Sequence, residues 1–213
     1  MSDPSAFLAG LAVKIPALLL AVTLHEVAHG LVADRLGDPT ARALGRLTLN
    51  PLPHIDPLGA LALVLAGFGW AKPVPVNGAN LRHPRRDMAL VAAAGPVANL
   101  AVAFAGLVTL GLVQRTLILG SVTATLHQVL LYVFTFNLGL AVFNLLPLPP
   151  LDGGHFLPYL LPRAAWPALP ALQRAGPVIL IVLLVTGAVR WIIGPVYVWL
   201  VTVYMTAVQA LLF

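Results

Sequence analysis

The chain has 213 residues, 60% of them hydrophobic and 9% charged, and a mean hydropathy of +0.95. Soluble domains carry roughly a quarter charged residues, so a soluble globular fold is excluded and an all-α polytopic membrane protein is expected. The formal charge of +5 comes from arginines in short loops between apolar runs, a distribution that excludes a nucleic-acid partner and reads as topology information.

Each crossing needs about 20 apolar residues, which leaves room for one membrane-embedded domain over 1–213 and for no appended peptide-binding or nucleotide-binding module. Cysteine is absent, so disulfides and thiolate metal sites are excluded. About five to six transmembrane helices are expected. The first run, Phe7 to Leu36, is preceded by no basic leader and reads as a retained span. It contains His25-Glu26-Val27-Ala28-His29, with Glu26 the only glutamate in the chain. Residues four apart share a helix face, so His25 and His29 can present imidazole nitrogens to one zinc ion while Glu26 acts on water as a base. A carboxylate and two imidazoles inside an apolar span are costly unless they are used.

Between Asp34 and Asp87 lie Arg35, Arg42, Arg46, Lys72, Arg82, Arg85 and Arg86, and the positive-inside tendency makes their side cytoplasmic. Within this stretch, Ile55 to Trp70 is apolar but short and glycine-interrupted, either a stubby span or a re-entrant segment. Charge counting favours re-entry. Asp56, just before Pro57, reads as a helix cap. Gly69 to Asn77 carries prolines at 73 and 75, which forbid helix and predict an extended loop or small β-hairpin near the site. Lys72, Pro73, Val74, Pro75, Val76 and Asn77 are either a connecting loop or a free edge to which a substrate strand adds.

Further spans are expected over Met88 to Val113 and Thr125 to Leu146, completing a core over 7–156. A C-terminal helical hairpin is expected over 177–213, its tight turn at Arg190 to Pro195. Gly95, Ala98 and Asn99 read as small or polar contacts that let two helices approach. Zinc in hydrolases takes three protein ligands, and Asp152 is the third candidate, offered where prolines break the helix after Asn144. His54, His83, His127 and His155 read as loop or interfacial histidines, with His155 the one placed to support Asp152.

His25 to His29, Ala94-Gly95-Pro96-Val97-Ala98-Asn99 and the run from Asn144 to Gly154 together resemble the signature elements of the site-2 protease family of intramembrane zinc metalloproteases. Gly45-Arg46-Leu47-Thr48-Leu49-Asn50-Pro51 and Gly69 to Asn77 look like its short branch, without inserted domains. The resemblance covers roughly residues 20 to 156. It implies that His25, His29 and Asp152 bind Zn2+, that Glu26 is the catalytic base, and that Asn144 positions the substrate or stabilises the oxyanion. The implied substrate is a transmembrane protein cut in or near its membrane segment, in regulated intramembrane proteolysis, at a cell membrane with the active site nearer the cytoplasmic face. Two other classes remain: a divalent-metal transporter, disfavoured because no further polar ladder crosses the spans, and a non-proteolytic metal-binding scaffold, disfavoured by the intact Glu26.

Overall fold

A computed structural model of the chain describes residues 4–66, 69–116 and 121–212. Among these the secondary structure is helical, with no β-strand. The elements are α1 (Pro4–Arg35), α2 (Thr40–Ala43), α3 (Pro57–Ala66), α4 (Pro84–Thr116), α5 (Ser121–Asn144), α6 (Leu157–Leu160), α7 (Leu169–Val185) and α8 (Val189–Leu212). Five helical stretches are long and apolar enough to cross a membrane: Gly10–Arg35, Pro84–Arg115, Ala124–Asn144, Arg163–Val185 and Val189–Leu212.

Helices α1, α4 and α5 pack mutually, and α8 lies on the opposite side of the α4 and α5 pair. The core there is built from Ala103, Leu107 and Leu110 on α4, Phe134, Leu138 and Val142 on α5, and Val208 on α8. Tyr204 seals the contact: its ring meets Phe104 edge-on at 5.4 Å and its hydroxyl donates to Leu100 O at 3.1 Å. A buried hydroxyl without that carbonyl would carry a desolvation cost.

The piece from Ile55 to Trp70 doubles back. Its helix α3 has 10 residues, about 15 Å of rise against a hydrocarbon core of about 30 Å. Its two ends meet in one antiparallel bridge between Ile55 and Ala71, reinforced by Lys72 N donating to His54 O at 2.9 Å. Gly59 and Gly69 lie backbone to backbone, where any side chain would collide. Entry and exit are therefore side by side, as a re-entrant segment requires. Asp56 caps α3, accepting from Leu58 N at 2.9 Å and Gly59 N at 3.2 Å. The expected β-hairpin is reduced to that single bridge, because Pro73 and Pro75 remove the donors a ladder needs; the segment stays extended without becoming a strand.

Two further expectations are corrected. The C-terminal turn falls at Gly187, which adopts φ +70°, rather than at Arg190 to Pro195. Pro195 lies inside α8, as membrane helices tolerate. His54 lies in the connection between α2 and α3, the loop half of its reading, in the 3-10 turn Leu52–His54, but it is fully buried rather than interfacial, its Nε2 donating to Thr48 O at 3.0 Å.

Candidate metal centre

The three predicted ligands are delivered by two local devices, a helix face and a tight turn. His25 and His29 are consecutive turns of one face of α1, and their rings meet edge-on with centroids 4.6 Å apart. Room for them comes from Gly95 on α4: a Cβ there would stand 2.6 Å from His25 Cε1 and 2.7 Å from its Nδ1, and would also strike His29 Nε2. This glycine is needed for the imidazoles, a more specific demand than helix approach alone. Asp152 follows a chain reversal beyond Asn144, and opens a 3-10 turn, Asp152–Phe156, that packs on α4. The reversal is tight enough that a Cβ on Gly153 would stand 2.5 Å from Leu145 O, and one on Gly154 2.8 Å from Pro149 N. The two glycines after Asp152 thus let the carboxylate return to α1.

The donor atoms converge. His25 Nε2 and His29 Nε2 are 3.1 Å apart, and Asp152 Oδ2 lies 3.1 Å from the first and 3.3 Å from the second. The second ring nitrogens are engaged elsewhere. His25 Nδ1 lies 2.6 Å from Asn99 Oδ1, and His29 Nδ1 lies 2.7 Å from Val91 O. Both acceptors fix the ring proton on Nδ1 in a neutral imidazole, leaving Nε2 as a lone pair. Asp152 Oδ2 is buried and has no hydrogen-bond partner.

Three lone pairs facing one another at this range repel unless a cation sits among them. Tetrahedral zinc with bonds of about 2.0–2.1 Å sets its ligand atoms about 3.3–3.4 Å apart, close to the observed triangle. The residues fit a metal ion of that kind.

Glu26 is not one of the three convergent groups. Its Oε2 accepts from Val74 N at 2.8 Å, which ties the extended segment to α1. The segment is anchored again at Lys72, whose carbonyl accepts from Arg46 Nη2 at 2.8 Å, and at Asn77, whose N–H donates to Asp38 Oδ2 at 2.7 Å. Asp38, fully buried, also accepts from Asn80 Nδ2 at 2.8 Å. Asn144 is partly buried at the end of α5, its amide donating to Leu140 O at 3.0 Å in its own helix, with no hydrogen bond to the triad. His155 is exposed and stands outside the convergent group.

Asn99 does more than join helices, since it holds His25; its Nδ2 donates to Ala21 O at 3.0 Å and to Asn137 Oδ1 at 2.7 Å. Asn137, fully buried on α5, was not singled out by sequence. The available signal was an amide inside an apolar span, two helical turns before Asn144.

Residues 111–187 match Peptidase family M50. The chain is 41% identical over 180 residues to YwhC of Bacillus subtilis (strain 168), named as a candidate zinc metalloprotease, across 84% of this chain and 82% of that protein. The chain belongs to peptidase family M50. Two further relatives carry the same kind of name: Rip2 of Mycolicibacterium smegmatis, 34% identical over 84% of this chain and 69% of that protein, and Rip2 of Mycobacterium tuberculosis (strain H37Rv), 33% identical over 93% and 76%. No solved structure matches. The M50 match continues to residue 187, past the stretch that carries the site-2 protease resemblance. This M50 chain is a multi-pass, all-α membrane metalloprotease.

Proposed function

We propose that the chain is an intramembrane zinc endopeptidase that hydrolyses peptide bonds in or near transmembrane segments of membrane proteins, in regulated intramembrane proteolysis. The observation that carries this reading is the triangle of His25 Nε2, His29 Nε2 and Asp152 Oδ2, with Glu26 next to His25 on the same helix. His25 and His29 lie about 9–15 Å along α1 from its Arg35 end, within the thickness of a hydrocarbon core. The basic loops from Arg35 to Arg86 lie at that same end, which supports a cytoplasmic placement.

His25, His29 and Asp152 would hold Zn2+, which when bound would supply Lewis acidity toward a carbonyl and toward water near neutral pH. Glu26 takes the proton from the attacking water and returns it to the leaving amine. Its carboxylate is already aimed by the Val74 N–H. The Asn144 amide, released from Leu140 O, stabilises the developing oxyanion. The extended run from Lys72 to Asn77 receives an unwound stretch of substrate. Its contribution is polar on the side facing Glu26, where Val74 offers an N–H, and donor-free at Pro73 and Pro75. Beyond it, a cleft of about 320 Å³ between Gly78, Met88 and Gly154 offers room for residues flanking the scissile bond.

The test uses purified full-length protein in detergent with its zinc quantified, incubated with a transmembrane reporter. Wild type is expected to cut and Glu26→Gln to retain zinc but lose at least roughly 100-fold in rate, the scale of general-base catalysis. Metal flux into liposomes without a cut product would replace this reading with transport. Bound zinc with neither flux nor cleavage would leave a scaffold.

A further inference from the structure

The hydrogen bonds behind His25 have a direction, and it is set from two sides: by a carbonyl of α1 and by α5, a helix that contributes no ligand. A backbone carbonyl can only accept. Val133 O lies 2.8 Å from one amide atom of Asn137, so that atom is Nδ2, and the Asn137 atom turned to α4 is Oδ1. An oxygen there selects Nδ2 of Asn99 as its partner, at 2.7 Å, and the same Asn99 amide group reaches a second carbonyl, Ala21 O. Asn99 is thereby left with Oδ1 toward His25. That oxygen takes the Nδ1 proton and leaves the His25 Nε2 lone pair facing Asp152 and His29. Both asparagines are fully buried, so no solvent competes for these bonds.

We propose that Asn137 is a positioning residue for the metal centre: together with Ala21 O it holds Asn99 in the one amide orientation that keeps His25 in its Nδ1–H tautomer, with Nε2 free for the ion. The proposal rests on the reading of His25, His29 and Asp152 as metal ligands. Outer partners of ligating histidines are worth about 10–100-fold in metal affinity, and here the effect passes through two amides and across three helices, α5 to α4 to α1. His29 needs no such relay, because its Nδ1 proton goes straight to Val91 O. The two ligands thus depend on α5 to different degrees.

The experiment uses the full chain in detergent and zinc alone, with affinity measured against a competing chelator. Histidine tautomers are read by 15N chemical shifts in the metal-free protein, the His25 resonances being assigned by their loss in His25→Gln. Wild type is expected to show His25 protonated on Nδ1. Asn137→Leu is expected to bind zinc about 10–100-fold more weakly and to show a mixture of His25 tautomers with His29 unchanged. Asn137→Asp, buried and therefore held neutral, can donate its hydroxyl to Val133 O and accept from Asn99, so it is expected to bind zinc as wild type does. A mere packing role predicts the reverse order, the apolar leucine being tolerated and the aspartic acid harmful. The proposal is overturned if wild-type His25 carries its proton on Nε2, a measurement that decides even where Asn137→Leu does not fold. It is equally overturned if Asn137→Asp is the weaker binder of the two. Failure of wild type to bind zinc at all would instead remove the metal centre itself.

Discussion

At the scale of single residues, the centre depends on what is missing from position 95 as much as on its ligands. Gly95 faces both imidazoles, and a methyl group there overlaps them. The neighbouring Pro96 is fully buried inside α4, so the backbone that carries Gly95 has little freedom to withdraw. Gly95→Ala is therefore expected to weaken zinc binding by roughly 100-fold or more, a loss at least as large as that of an outer partner, with helix content by circular dichroism unchanged. Zinc bound at wild-type affinity would show that the rings can move aside. The three converging groups were legible in sequence because four-residue spacing on a helix and a carboxylate beside helix-breaking prolines each imply geometry. Asn137 was not legible, although it lies two turns before Asn144 in the same helix, because its meaning appears only when α4 and α1 are stacked against it.

At the scale of elements, the extended segment is held by two acidic anchors, Glu26 on α1 and Asp38 in the turn that follows it. Val74→Pro removes the N–H that Glu26 accepts while keeping an extended backbone. Hydrogen bonds to charged groups contribute about 1.5–3 kcal/mol, so kcat/KM for a transmembrane reporter is expected to fall about tenfold to hundredfold with zinc content unchanged. Undiminished turnover would show that the contact has no part in the reaction. Asp38 makes a separate prediction about stability. Burial opposes its ionisation, yet hydrogen bonds from Thr40, Asn80 and the Asn77 N–H prevail and hold its carboxyl below the ordinary aspartate value. A depressed folded-state pKa stabilises the fold above the unfolded value of about 3.9, and that contribution is lost as pH falls through the lower folded-state value. Wild type is thus expected to lose thermal stability below about pH 4, and Asp38→Ala to lose about 1–3 kcal/mol at neutral pH with a shallower acid limb. Coincident acid limbs for the two proteins would remove Asp38 from that role. The re-entrant course of α3 is favoured in sequence by charge counting together with the need to bring Asp152 to the face of His25 and His29; what these cannot supply is the pairing of Ile55 with Ala71. The misplaced C-terminal turn has an equally local cause, since arginine and proline at 190 and 195 are stronger breaking signals on paper than Gly187, whose positive φ makes the bend.

At the scale of the whole molecule, five crossings by the five long apolar helices, with both ends of α3 on one face, would put Asn50 and Asn80 on one side and Thr186 on the other. Native cysteine is absent, so introduced thiols can be mapped without background. Asn50→Cys and Asn80→Cys are expected to label from the same face of sealed vesicles, and Thr186→Cys from the opposite face. Opposite labelling of the first two would turn α3 into a crossing and invert every later helix.

The ligand set is also dispersed along the chain: two imidazoles near its start, their supports midway, and the carboxylate only after α5. A fragment of the chain ending before Asp152 already holds both histidines and Glu26 yet lacks the group that completes the triangle. The triangle consequently cannot close until the third long helix has been made and the loop after it has folded back.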